Sequence, residues 1–152
     1  MVQSTSYSDS NYPASSVLIL GEEDELMDNV KYNYWLAEEG KTTGQGFTVK
    51  VDYCARWVAG CQIKNKGKGA NPNWATKAFK IYGAKNESGP WKTLLEEELI
   101  DTTWDKASLI NFTFDEAVEV LYLRFDLVSY WGNGGGLQYF AAILTTGNYS
   151  KV

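Results

Sequence analysis

The stretch from Val118 to Ile143, VEVLYLRFDLVSYWGNGGGLQYFAAI, constrains the fold more than any other part of the chain. Leu121, Leu123, Phe125 and Leu127 alternate with Glu119, Tyr122, Arg124 and Asp126, the period-2 pattern of a half-buried strand. A loop follows that places Tyr130, Trp131 and Asn133 on a backbone made pliable by Gly132, Gly134, Gly135 and Gly136, and a second strand comes after it. Two rings beside an amide, held by a rigid sheet, suit a small polar ligand with one apolar face. Sugars fit that description, and the pattern is that of a binding module rather than a catalyst.

Further strands are expected at Ser16–Leu20, Phe47–Tyr53, Ala59–Lys64, Lys77–Ala84, Trp91–Leu95 and Leu109–Phe114, with a single helical turn at Glu22–Met27. Ala59–Lys64 reads as the partner of Phe47–Tyr53, reached through the short connection Ala55–Val58. The stretch 65–76, NKGKGANPNWAT, is a loop by its Gly, Asn and Pro content, and KNESGP is a turn. About eight short strands without an amphipathic helix of three turns predict an all-β jelly-roll sandwich. The chain of 152 residues holds one such domain. Residues 1–13 read as a loose N-terminal lead-in and 14–152 as the domain.

The residues that are missing narrow the function. With no histidine, Ser-His-Asp and Cys-His catalysis and the commonest zinc ligand are excluded together. Cys54 and Cys61 cannot cage a metal alone, and they are either a local disulfide or two thiols. A net charge of -5 and the absence of a basic stripe argue against nucleic acid and against docking on anionic lipid. No apolar run approaches the roughly 18–20 residues of a membrane helix. The start, MVQSTSYSDSNYP, lacks the apolar core of a secretory signal, so the chain reads as cytosolic or as an excised extracellular domain. Six Trp and ten Tyr exceed the needs of a small core, which implies displayed rings.

Six segments, in order and spacing, resemble the discoidin domain, the type C domain of coagulation factors V and VIII within the galactose-binding-like superfamily. They are ASSVL (14–18), LMDNVKYNYW (26–35), FTVKVDY (47–53), IKN (63–65), TKAFKIYGAKNESGPWKTL (76–94) and the 118–143 run. The resemblance implies an eight-stranded jelly roll whose loops at one end bind galactose-like sugars, other glycans, phospholipid head groups or proteins. It also implies core roles for Trp35 and Trp91. In sugar-binding relatives a structural calcium sits near the first loop, and the resemblance assigns one ligand to Asp28. Tyr139 stands where a glutamate would complete that site, which leaves it one charged ligand short. The end-to-end disulfide of secreted relatives has no counterpart.

The expected ligand residues fall in three groups. Tyr130, Trp131 and Asn133 form the first. Asn71, Asn73 and Trp74 form the second, in a loop stiffened by Pro72, with Lys77 just beyond. Arg56, beside Trp57, would join them if its connection reaches the binding end. Each ring also has a structural alternative: Trp131 as a cap on the core, Trp74 folded onto the sheet, Trp57 stacked by Arg56. Asp101 and Asp105 carry no sign of a glycosidase pair. Asn86, Asn111 and Asn148 match the Asn-X-Ser/Thr pattern by chance. The expected function is a non-catalytic sugar-binding module of lectin type, with a protein-interaction or adhesion module using the same loops as the alternative. A single shallow site binds weakly, so a homo-oligomer or tethering to another domain is the expected route to avidity.

Overall fold

The computed structural model describes residues 35–65, 74–99 and 108–146, together with the backbone pairing of 3–4, 26–27 and 31–32. Its strands in chain order are β1 (Gln3–Ser4), β2 (Leu26–Met27), β3 (Lys31–Tyr32), β4 (Trp35–Leu36), β5 (Gly46–Lys50), β6 (Arg56–Asn65), β7 (Trp74–Ala84), β8 (Lys92–Glu98), β9 (Leu109–Val120), β10 (Tyr122–Gly132) and β11 (Gly136–Leu144). They form a sandwich of a five-stranded sheet, β1-β5-β10-β7-β8, and a four-stranded sheet, β4-β11-β6-β9, with a small β2-β3 pair. All pairings are antiparallel. The all-β sandwich expected from the strand pattern is the observed architecture. No helix occurs among the described residues, and Leu26–Met27 is a strand where a helical turn was expected.

Alternation dictates which side chains meet in the middle. On β10, Leu123, Phe125 and Leu127 turn inward, and on β7 Phe79 and Ile81 do the same. Phe125 stacks on Phe47 at 5.1 Å between centroids and on Phe79 at 5.3 Å. Trp35 and Phe140 meet this stack edge-on. Such offset and perpendicular pairs add about 0.5–1.5 kcal/mol each beyond the area they bury. Trp35 is fully buried, in the core role implied for it.

Three expectations about pairing and position are overturned. β5 and β6 are not partners: β5 lies in the five-stranded sheet and β6 in the four-stranded one, so residues 51–55 cross between layers. The opening run is not one strand up to its loop. Val118–Val120 finish β9, the chain bends at Leu121, and β10 starts at Tyr122. Trp91 is not core. Its ring lies 4.7 Å from the Arg124 guanidinium carbon, with Tyr82 at 4.7 Å as the second ring. Arg124 also reaches Asp126, with Nε 3.2 Å from the carboxylate, and burial pushes that carboxyl above its ordinary range, against the pull of Arg124 and Lys80.

The strands give the sandwich two ends. Gly132, Gly136, Asn65 and Trp74 lie at one, which we call the hairpin end. Lys50, Arg56, Ala84 and Val120 lie at the other. The segments 66–73 and 100–107 are bounded by residues of the hairpin end.

Candidate functional site

At the hairpin end, β10 and β11 are joined by Asn133, Gly134 and Gly135. The alternation of β10 breaks just before this, where register shifts at Leu127–Ser129 and Ser129–Tyr130 mark a bulge. Bulges re-aim side chains near functional sites. Here both Tyr130 and Trp131 become half-buried: each packs against the core and keeps part of its surface open. Asn133 is exposed beyond them. Gly132 turns the chain at φ 77°, a conformation that disfavours other residues.

The glycines that follow do not supply pliability. Gly134, Gly135 and Gly136 are buried, and the space over them is occupied. A Cβ on Gly134 would stand 2.9 Å from Cε3 of Trp74, and one on Gly135 would stand 2.4 Å from Cδ2 of Leu127. Real Cβ contacts do not come that close, so these positions need glycine because neighbouring side chains fill the volume. The hairpin is further tied by Ala75 N–H donating to Gly134 O at 3.0 Å, Ala37 N–H to Gly135 O at 2.9 Å and Gly40 N–H to Asn133 O at 2.9 Å. The loop is therefore a braced platform.

Residues 37–45, between β4 and β5, form the adjoining wall. Gly40 approaches the Tyr130 hydroxyl to 4.0 Å, measured from the position a Cβ would take. Buried Gln45 holds the segment in shape: its Oε1 accepts from Glu38 N–H at 2.9 Å and its carbonyl accepts from Leu127 N–H at 2.9 Å. Glu38 and Lys41 form an exposed ion pair at 2.5 Å on the rim. The KTTGQG turn composition was the available signal for this wall.

Beneath the site, Asn65, Thr76 and Gly136 connect the two sheets. Asn65 Nδ2 donates to Thr76 O at 2.8 Å, Asn65 Oδ1 accepts from Thr76 N–H at 3.1 Å, and Thr76 Oγ1 donates to Gly136 O at 2.8 Å. Both side chains are fully buried, and a satisfied buried polar network of this kind fixes one arrangement of the layers.

The expected residues therefore separate. Tyr130 and Trp131 are consecutive at the end of β10, and Asn133 follows in the turn. Trp74 is not displayed: it is 3% exposed and lies under Gly134, so its indole supports the platform instead of offering a face. Lys77 is two residues from Ala75 in the tip register, but its ammonium lies 3.7 Å from Glu98 on β8. Arg56 stands at the opposite end, 2.5 Å from Asp52, because β6 runs from the far end toward the hairpin end. Asn71, Asn73 and Asp28 lie outside the described residues, as do Asp101 and Asp105. Tyr139, at the position that the resemblance gives to a glutamate, pairs across strands with Lys64. Among the described residues no three His, Cys, Asp or Glu cluster as ligands.

No protein-family model matches this sequence, and no curated protein matches it significantly. Solved structures do. The fold is that of the family 32 carbohydrate-binding modules. A family 32 module from C. perfringens NanJ, solved in complex with galactose, superposes with a TM-score of 0.67 at 18% identity, covering 92% of this chain and 90% of that one. A family 32 module of AlyQ, solved with 4,5-unsaturated mannuronic acid, gives 0.64 at 14% identity, covering 94% and 95%. Chitosan-binding module 1 of a chitosanase/glucanase from Paenibacillus sp. IK-5 gives 0.61 at 16% identity, covering 92% and 91%. These likenesses establish the sandwich and its connections.

Proposed function

We propose that this chain is a non-catalytic carbohydrate-binding module of lectin type that recognises galactose-like or related sugars at its hairpin end. One observation carries the reading: two half-buried rings, Tyr130 and Trp131, lead directly into the exposed Asn133 on a hairpin braced by backbone hydrogen bonds. A ring face takes the apolar side of a pyranose, and an amide offers a donor and an acceptor to adjacent hydroxyls. Because the platform is already ordered, binding loses little conformational freedom. The fold shared with modules crystallised with galactose and with an unsaturated mannuronic acid supports the same class of ligand.

Affinity at one shallow site is expected at about 0.1–1 mM, the range for one stack and a few net hydrogen bonds. Multivalent display would raise it. A glycan array followed by calorimetric titration with galactose, N-acetylgalactosamine and fucose tests the reading. Silence across the array rejects it.

A further inference from the structure

A second cleft lies at the opposite end of the sandwich, between the β7–β8 turn and the β6–β9 pair. Its volume is about 340 Å³, and its walls include Trp57, Lys85, Pro90, Leu94 and Glu119. A neighbouring hollow of about 220 Å³ continues it along Lys92 and Leu94 toward Glu116. Trp57 and Glu119 are direct cross-strand partners, so the indole and the carboxylate stand side by side. Trp57 is half-buried and Pro90 exposed, which leaves apolar surface open in a polar surround.

The two ion pairs across this region differ. Lys92 Nζ is hydrogen-bonded to Glu116 Oε1 at 2.6 Å. Lys85 Nζ and Glu119 Oε2 stand 3.7 Å apart, too far for a hydrogen bond. The second pair is thus a donor and an acceptor held near each other with hydrogen-bonding capacity unspent. A ligand that bridges it needs an acceptor and a donor on neighbouring atoms and no net charge. A vicinal diol has both. The cleft sits at the small end of the range for ligand pockets, about 300–1,000 Å³, room for one ring rather than a polymer.

We infer that this cleft is a second saccharide site, taking one uncharged pyranose with its apolar side against Trp57 and two adjacent hydroxyls on Lys85 and Glu119. It is independent of the hairpin site, being at the other end of the domain. A module with both would bind two glycan ends at once, pointing in opposite directions.

The test is a ¹⁵N–¹H NMR titration of the full chain with galactose, glucose and N-acetylglucosamine, each as the free sugar. The expected result is a saturable shift of the Trp57 indole N–H and of the Lys85, Leu94 and Glu119 amides with at least one probe. Trp131→Ala should leave those shifts in place. Lys85→Met with Glu119→Gln, both exposed positions, should weaken them by about tenfold or more, and Trp57→Phe should retain more of them than Trp57→Ala. The inference is overturned if the Trp57 group stays still with all three sugars, or if its response survives the double variant undiminished. Movement of the Trp131 and Asn133 signals alone would sink this site and spare the hairpin one; stillness of both groups would sink both.

Discussion

Asn65 on one sheet and Thr76 on the other exchange two hydrogen bonds through a side-chain amide, at 2.8 and 3.1 Å, with neither residue reached by solvent. The amide does the work of a backbone rung between strands that cannot pair. Asn65→Leu would strand a buried N–H and a buried carbonyl of Thr76. The expected loss is about 2–4 kcal/mol, at the usual cost of 1–3 kcal/mol per orphaned group. Urea unfolding should show a lower midpoint at an unchanged slope.

The two tryptophans of the hairpin end should part company on mutation. Trp131→Ala is expected to reduce sugar affinity by about tenfold, a loss of roughly 1.4 kcal/mol, while the fold survives. Trp74→Ala removes a buried ring and should cost about 3–5 kcal/mol of stability. Calorimetric titration and denaturant unfolding on both variants separate a binding residue from a supporting one.

Gly60 on β6 has a backbone oxygen in place of a side chain. A Cβ there would stand 2.0 Å from Phe112 O on β9. A strand carbonyl cannot swing aside as a side-chain tip can, so Gly60→Ala should break local pairing. The expected penalty is about 3 kcal/mol or failure to accumulate as folded protein, read by thermal unfolding.

The cysteines, left open as bridge or thiols by sequence, are both free; Cys54 is exposed and Cys61 buried. Burial, with a smaller push from Glu97, raises the Cys61 thiol to about 12. A thiol-reactive dye should label one cysteine in the native protein and two in denaturant. The linkage has a definite sign. The folded state holds the Cys61 proton more tightly than the unfolded chain, whose thiol titrates near 9.0. This contribution to stability is complete below pH 9 and declines as the pH rises from there toward 12. Cys61→Ala should flatten that alkaline decline.

Arg124 lies with rings at 4.7 Å from Tyr82 and from Trp91. A lysine there keeps the charge and loses the flat surface. Arg124→Lys should cost about 1 kcal/mol in urea unfolding, within the range for a partly exposed cation–ring contact.

Much of this architecture was legible because alternation reports burial directly. Leu123, Phe125 and Leu127 announced β10 and its inward face, and Lys77–Ala84 read as the strand that β7 contains. Alternation is silent on layers. Nothing in residues 51–55 distinguishes a hairpin from a crossover, so β5 and β6 read as neighbours, and the end that Arg56 reaches stayed open. Tyr130, Trp131 and Asn133 were visible as a group because they are contiguous. The 37–45 wall was not, since its contribution is made by backbone amides and by Gln45. Trp74 fits a displayed or a folded-down ring equally, because an indole after a Gly/Asn/Pro loop looks displayed until Gly134 is laid over it.

The position of Cys54 has a practical use. It sits between the last residue of β5 and the first of β6, at the pole away from Trp131 and Asn133. A maleimide tether at that one accessible thiol would anchor every molecule on a sensor chip in the same attitude, hairpin outward. A glycan captured in that attitude is held by the hairpin pole.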